Sequence, residues 1–314
     1  MHVLSFLIQL ILYALTSSVL ASRFLPSLRY LLQYGKTLEA TTPGATPNKS
    51  LAESVFNAIL KPLNFTVPKR WFTHFYVIGL ALSTTSLAML YLGHTGVVTF
   101  PVRSLIQIDE YMTNTLIRLL GSHQAFILSW REVNVSYSRA LSATIIVTLQ
   151  CFRRLCECIF VEKMSQTARM RGGHYIVGYL FYVAATTSTW SDALEGTLAI
   201  HDKGERVPKT AIIIYLLAAF TQYAAHDQLS KLKKYSPPPP TMLFKYLVCP
   251  HYTAEVVIYL AVARICGFTP ANISVVVWTA VNLGASAEQS RKFYIKKFGA
   301  HSVEEKWNLI PFVF

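Results

Sequence analysis

Long apolar runs punctuate the chain and predict its secondary structure. Six of them cover residues 3–21, 72–93, 175–190, 210–229, 248–267 and 271–289, and a seventh near 139–162 begins apolar and continues into charged residues. A helix of about 20 apolar residues crosses the roughly 30 Å hydrocarbon core of a bilayer. The pattern therefore predicts an all-α integral membrane protein with about seven transmembrane helices.

Composition and charge agree with this interpretation. Of the 314 residues, 53% are apolar and only 14% are charged, which is unusual for a soluble domain of this size. Most Lys and Arg residues lie in 22–71, 151–174, 230–247 and 290–314, which alternate with segments that contain few. By the positive-inside rule, the N-terminus is predicted to be luminal and the C-terminus cytosolic. The basic residues are dispersed among loops, so no nucleic-acid partner is predicted.

The spans divide the chain into two predicted regions. Residues 1–70 would hold the first transmembrane helix and a long cytosolic loop, and residues 71–314 a membrane bundle. Residues 2–21 are also compatible with a cleaved signal peptide, because SSVLAS offers small residues near its end, but a basic n-region is missing and the apolar run is long. The five cysteines lie at or within spans and predict neither a disulfide framework nor a metal site.

Ionisable side chains inside the predicted spans are the first candidates for a functional site. Such groups cost a few kcal/mol to insert, so they normally face the bundle interior or an aqueous cavity. Gln222, His226 and Lys233 share one helical stripe, and His251 precedes Glu255 by one helical turn. Both sets lie toward the predicted cytosolic ends of their helices.

Two further polar sets lie at the same predicted depth. Arg153 and Arg154 come one turn before Glu157, and Asn282 begins a helical repeat that ends before Arg291. Arg offers a planar fork for phosphate and Lys a point charge. Together the four sets predict a polar, partly basic chamber that opens to the cytosol and suits an anionic ligand such as a nucleotide cofactor.

Structural roles are the alternatives for these residues. Arg153 and Arg154 are also typical of a helix end, Arg291 of an interfacial anchor, and His251 with Glu255 of a pair that ties two helices together. GxGxxG, P-loop, HExxH and GxSxG motifs do not occur in the sequence. A bound dinucleotide would therefore have to lie within the helical bundle.

Several stretches carry a resemblance to a known family. They are VPKRWFTHFY at 67–76, RRLCECIFV at 153–161, HYIVGYLFYV at 174–183, QYAAH at 222–226, CPHYTAE at 249–255, RKFYIKKF at 291–298 and the final NLIPFVF. These stretches resemble the steroid 5α-reductase family, and most closely its polyprenol reductase branch. The family's C-terminal domain would cover about residues 150–314.

The resemblance implies a multi-pass reductase of the endoplasmic reticulum membrane that binds NADPH from the cytosolic side. The polyprenol branch saturates the α-isoprene unit of polyprenol or polyprenal and so supplies dolichol for protein N-glycosylation. Positions that line the cofactor site in relatives match Gln222, His226, Lys233, His251, Glu255 and Tyr294. His251 and Tyr294 are the implied catalytic residues, as polar organisers of the nicotinamide.

The sequence also departs from the family pattern. Steroid and enoyl-CoA reductases usually carry Asn where this chain has His251, and a histidine just before the FY pair is missing here. On chemical grounds polyprenal is favoured as the immediate substrate, because a conjugated aldehyde can take up negative charge on its oxygen. The alternatives are a 3-oxo-steroid or enoyl-CoA reductase, or a non-enzymatic transporter or lipid-binding protein. No obligate protein partner is predicted.

Overall fold

The computed structural model describes residues 3–24, 65–120, 135–163, 167–198, 205–232, 236–237 and 241–314. Its helices are α1 (Val3–Ala21), α2 (Thr73–His94), α3 (Phe100–Leu120), α4 (Tyr137–Cys156), α5 (Gly172–Thr187), α6 (Leu194–Leu198), α7 (Lys209–Lys231), α8 (Pro250–Ile265) and α9 (Pro270–Phe298). Two short strands, β1 (Thr66–Pro68) and β2 (Arg169–Arg171), pair antiparallel. The all-α prediction is confirmed. Most of the predicted cytosolic loop 22–71 lies outside the described residues.

Each predicted span lies on one helix, namely α1, α2, α4, α5, α7, α8 or α9. The segments Val3–Ala21 and Lys69–His94 are by themselves long and apolar enough to cross a membrane. Helices α5 and α8 have 16 residues each, fewer than the about 20 that a perpendicular span needs. The count of seven spans and the orientation of the termini therefore stay predictions.

Contacts between the helix termini define two ends of the bundle. At one end, the start of α1 meets the segment after α5, because Ser5 Oγ lies 3.3 Å from Asp192. Val135, just before α4, joins the same segment, because its amide donates to the Asp192 carbonyl at 2.9 Å. The start of α9 joins them through Asn272 Nδ2, which donates to the Ser188 carbonyl at 2.8 Å. We call this the opposite end. The second end of the bundle is the cavity end. There the ends of α4 and α7 meet the starts of α2, α5 and α8.

Close packing of α7 on α8, α2 on α4 and α1 on α9 forms the core of the bundle. Glycines permit the contact between α2 and α5. A Cβ at Gly178 would lie 2.5 Å from the Phe75 ring, and one at Gly79 would lie 2.8 Å from Tyr182. Small residues at helix crossings are typical of membrane bundles, where they let backbones approach.

The outer surface of the bundle is apolar. Leu217 and Phe220 on α7 are 64% and 66% exposed, and α1, α2, α4 and α5 also expose large aliphatic or aromatic side chains. Apolar surface of this extent on several neighbouring helices is rare in soluble monomers and is expected where lipid surrounds the protein.

Helix α3 is a feature that the hydrophobic pattern did not predict, because residues 94–138 were interpreted as a luminal segment. The helix is amphipathic: Val102 is buried and Tyr111 is exposed. Its Asp109 accepts a hydrogen bond from the Leu4 amide at 3.2 Å, at the start of α1. A carboxylate there satisfies a free helix amide and complements the helix dipole.

Candidate functional site

A cavity of about 1000 Å³ lies at the cavity end, between α2, α4, α5, α7, α8 and α9. Six of the residues predicted for the site line it, and they come from four different helices. They are Arg154, Gln222, His226, His251, Glu255 and Asn282. The predicted convergence of polar groups from separate spans on one chamber is therefore present among the described residues.

Arg154 is the centre of a buried charged network. Its guanidinium donates to the Tyr76 hydroxyl at 3.1 and 3.3 Å and to Glu162 at 2.8 Å, and it also bonds to Glu157. His226 Nδ1 lies 2.6 Å from Glu157 Oε2 and 2.8 Å from the guanidinium. When Nδ1–H donates to the carboxylate, the other ring nitrogen is left as an acceptor for a ligand.

The two carboxylates and the imidazole could by their spacing hold a cation, because their ligand atoms lie within 4.8 Å of one another. The guanidinium of Arg154 donates to both carboxylates and lies 2.8 Å from His226 Nδ1, so it already supplies the positive charge among these groups. A π-helical turn, Glu157–Val161, extends α4 at this point. A π-helical turn closes its hydrogen bond over five residues. Glu157 and Glu162, which are five residues apart, therefore lie on the same side of the helix and both bond to Arg154.

A second layer of side chains positions Glu255. Gln150 Nε2 donates to Gln222 Oε1 at 3.1 Å and to Glu255 Oε2 at 3.3 Å, and Gln222 Nε2 also donates to Glu255. Arg153 does not line the cavity; it donates to Gln150 at 2.8 Å and also bonds to Gln222. The result is a carboxylate held by two amides at the cavity wall, suited to accept hydrogen bonds from a ligand.

The remaining polar wall comes from α8 and α9. The His251 ring lies 5.3 Å from the His226 ring and 4.2 Å from the Tyr252 ring. Asn282 and Ser286 lie one turn apart on α9 and both line the cavity. A neutral histidine and an amide both offer a donor and an acceptor, so this wall can bind uncharged polar groups.

Like Arg153, the predicted residues Tyr294 and Arg291 do not line the cavity. Tyr294 packs with Val248 and Leu309 in a separate apolar cluster, and Arg291 donates to the backbone carbonyl of Lys306. Lys233 lies outside the described residues. Because α9 advances about 100° per residue, Arg291 projects from the side of the helix opposite to Asn282. Roles for Tyr294, Arg291 and Lys233 in cofactor binding stay predictions.

The structure adds residues that were not among the predicted site residues. Tyr76, Glu162 and His174 line the cavity, and Lys69 and Lys163 place two ammonium groups on its wall. Tyr76 stood in the quoted stretch WFTHFY, but its contact with Arg154 spans 78 sequence positions and leaves no local signal. The rest of the lining includes apolar and aromatic side chains, among them Phe72, Phe75, Phe181 and Trp278.

Comparison with known proteins agrees with this architecture. Residues 175–314 match the family described as 3-oxo-5-alpha-steroid 4-dehydrogenase. The chain is 27% identical to a polyprenal reductase of Saccharomyces cerevisiae over 287 residues, which cover 90% of this chain and 85% of the relative. It is 29% identical to that of Drosophila melanogaster over 265 residues (79% and 76%) and 27% identical to that of Xenopus tropicalis over 267 residues (80% and 81%). These matches confirm the predicted resemblance: residues 175–314 are similar to the steroid 5α-reductase family, and the relatives that the chain resembles over most of its length are polyprenal reductases.

Proposed function

We propose that this protein is an NADPH-dependent membrane reductase that saturates the α-isoprene double bond of a long-chain polyprenal. The reaction would take place in the endoplasmic reticulum membrane, with the cavity facing the cytosol, and would supply dolichol for protein N-glycosylation. The observation that carries the proposal is one cavity that is lined both by a hydroxyl paired with Arg154 and by aromatic side chains. The similarity to polyprenal reductases supports the choice of substrate.

A conjugated aldehyde fits this cavity better than the corresponding allylic alcohol. Adding a hydride to a carbon-carbon double bond needs a place for negative charge, and the alcohol offers none. In the aldehyde, charge from the β carbon reaches the carbonyl oxygen, where a fixed donor stabilises it. The resulting enolate takes a proton on the α carbon from water or a side chain. Reduction of polyprenal would then be one step of the net conversion of polyprenol to dolichol.

Tyr76 is the donor that we assign to the substrate carbonyl. Its oxygen accepts two hydrogen bonds from Arg154 and its side chain lines the cavity, so its own proton is available to a ligand. The adjacent guanidinium draws electron density from the phenol oxygen and strengthens the O–H donor. His251, which lines the cavity and is one of the two residues implied by the resemblance, would act on the nicotinamide rather than on the carbonyl.

The cavity has room and partners for a dinucleotide. Its volume of about 1000 Å³ lies at the upper end of the usual range for ligand sites. When bound, NADPH supplies the hydride. Glu255 and Asn282 would hold its carboxamide and His226 a ribose hydroxyl. Because the charge of Arg154 is balanced by two carboxylates, we assign the phosphates to Lys69 and Lys163, with Arg153 and Arg154 organising the wall.

The aromatic side chains of the lining would receive the isoprene units next to the aldehyde. Phe181 and Trp278 line the cavity and also belong to the apolar packing between α1, α5 and α9. A long isoprenoid chain can continue from there along the apolar outer surface of the bundle. Steroid enones and enoyl thioesters carry the same conjugated carbonyl, so the shape of this part of the lining has to distinguish among the three substrate classes.

Purified protein in lipid vesicles, supplied with NADPH and one of three substrates, tests the proposal directly. We expect NADPH oxidation and a saturated aldehyde with polyprenal, and much slower reactions with a steroid enone or an enoyl-CoA. Oxidation with a steroid enone or an enoyl-CoA alone would assign the protein to another branch of the family. No oxidation with any substrate would favour a transporter or lipid-binding protein. In cells, loss of the protein should leave underglycosylated proteins, and added dolichol should restore glycosylation.

A further inference from the structure

The last segment of the chain, residues 307–314, folds back along α8 and α9, and we call it the terminal hook. Thr253 Oγ1 on α8 donates to the Leu309 carbonyl. The Phe314 ring comes within 3.6 Å of the position that a Cβ on Gly284 of α9 would occupy. Both contacts fix the hook on the bundle rather than beyond its end.

The depth of these contacts decides what surrounds the hook. Thr253 and Gly284 lie inside the predicted spans 248–267 and 271–289. Helix α9 continues for 14 residues past Gly284 and ends at Phe298. At about 1.5 Å per residue, the contact of the hook with Gly284 lies roughly 20 Å back from the end of α9. Asn282 and Ser286 of the cavity wall flank Gly284 along the helix. The hook therefore lies level with the cavity.

The hook has an inner and an outer side. Leu309 is 1% exposed and packs with Val303 and Ala287. Phe312 and Val313 are 86% and 77% exposed, and Ile310 and Pro311 before them are exposed as well. Phe312 has a φ of +64°, a left-handed conformation that costs a bulky residue about 1–2 kcal/mol. The fold thus holds a large aromatic ring outward at an energetic cost, which points to a partner for that ring.

The surroundings of the outer side have the chemistry of a membrane interface. The Phe312 ring lies 4.7 Å from the Trp307 ring, and the Trp307 amide donates to the carbonyl of half-exposed Tyr246 at 2.9 Å. Lys245 Nζ lies 5.3 Å from the centre of the Tyr246 ring. Aromatic rings beside lysines are typical of the boundary between acyl chains and anionic headgroups.

We propose that the terminal hook is an interfacial anchor, with Phe312 and Val313 inserted at the acyl boundary of the cytosolic leaflet and Lys245 at the headgroups. The partner is lipid, because the hook lies at membrane depth and because Lys245 lies beside its aromatic side. The anchor clamps the α8–α9 seam that forms the polar wall of the cavity. The inference rests on the membrane placement in the proposed function, but not on the reaction.

Lipid quenching tests the anchor without any measurement of activity. The full chain carrying Val313→Cys or Glu304→Cys is labelled with an environment-sensitive fluorophore in vesicles of phosphatidylcholine and phosphatidylserine. Glu304 is exposed in the same part of the chain and serves as the matched control. Unsubstituted protein labelled in parallel gives the background from the native cysteines. Leu217→Cys, on the exposed side of α7, reports the membrane placement itself.

We expect lipids with a nitroxide near the headgroup to quench the label at 313 at least about twofold more than the label at 304, and aqueous iodide to show the reverse order. Equal access of iodide to both labels would overturn the anchor. Protection from iodide without quenching by lipid would identify a protein partner and also overturn it. If the label at 217 also escapes quenching by lipid, the membrane placement and the anchor are both wrong, whereas quenching at 217 alone disproves only the anchor.

Discussion

The two ends of the bundle both bury polar side chains, but they do so in different ways. At the opposite end the groups are mostly neutral and bond to one another: Thr144 Oγ1 lies 2.8 Å from Thr189 Oγ1, and Asn272 bonds to Thr269 and the Ser188 carbonyl. At the cavity end the groups are charged and line about 1000 Å³ of open volume.

This difference distinguishes buried polar groups that hold helices together from buried polar groups that can bind a ligand. Hydrogen bonds between neutral groups tie helices together, and once satisfied they need no ligand. Charges beside a cavity keep unused hydrogen-bonding capacity in a place of low dielectric, where a ligand can use it. Asp192 and the partly buried Asp109 depart from this division at the opposite end, where they bond to Ser5 and to the Leu4 amide. Variants at both ends can show whether the division holds.

Replacing the central cation of the cavity end should have the largest effect. Arg154→Met leaves Glu157 and Glu162 without their buried partner, so we expect a loss of about 3–5 kcal/mol in the free energy of unfolding. Thermal unfolding in detergent micelles measures it. The control is Arg23→Met, because Arg23 forms an exposed pair with Glu288 at 3.6 Å and should contribute at most about 1 kcal/mol. Equal effects of the two variants would contradict the central role of Arg154.

Tyr76→Phe should reduce catalysis with little effect on folding. Removing one donor to a developing oxyanion typically lowers kcat about 100- to 1000-fold. We expect this loss with polyprenal, while the dissociation constant of NADPH and the unfolding temperature stay near their original values. Tyr111→Phe on α3, an exposed tyrosine at the other end of the bundle, is the matched control. A kcat unchanged by Tyr76→Phe would remove Tyr76 from the mechanism.

Glu255→Gln should weaken cofactor binding, and we expect this effect to be smaller than that of Tyr76→Phe on kcat. The variant keeps the shape but removes the charged acceptor held by Gln150 and Gln222, and hydrogen bonds to charged groups contribute about 1.5–3 kcal/mol. The dissociation constant of NADPH, measured by fluorescence titration, should rise about tenfold or more. Asp192→Asn makes the same chemical change at the opposite end and should leave this constant unaltered. A matching rise in both variants would indicate a general loss of structure.

The smallest effect is expected at the opposite end. Asn272→Ala removes the bonds to Ser188 and Thr269, so the free energy of unfolding should fall by about 1–2 kcal/mol. The kcat with polyprenal, measured well below the unfolding temperature, should stay unchanged. Ile273→Ala, on the exposed side of the same helix, controls for a general effect on α9. A selective loss of kcat in Asn272→Ala would show that the two ends are functionally coupled.

Local patterns in the sequence were enough to predict the helices and part of the cavity. Apolar runs identified α1, α2, α4, α5, α7, α8 and α9, because length and hydropathy are properties of continuous segments. The spacing of four residues identified Gln222 with His226 and His251 with Glu255, because such pairs share one helix face. Helix α3 was missed because its apolar residues alternate with charged ones and no long run marks it.

Contacts between distant segments could not be predicted in this way. Gln150 is neutral and lies within a span, and its bond to Glu255 joins residues 105 positions apart. Tyr294 was selected from a family motif, but helical geometry places it on a different side of α9 from Asn282. The sequence therefore indicated which helices contribute polar groups, whereas their three-dimensional arrangement decided which groups share the cavity.

The π-helical turn after α4 lets this part of the chain hold one residue more than a regular helical turn. The Glu162 amide donates to the Glu157 carbonyl at 2.8 Å, five residues back, where an ordinary α-helical bond joins residues four apart. Deleting a single residue such as Ile159, which is 57% exposed, would leave Glu162 four positions after Glu157, the spacing of a regular α-helical bond. Glu162 would then stay on the same side of the helix as Glu157, so the guanidinium of Arg154 would keep both counter-ions in a chain shortened by one residue.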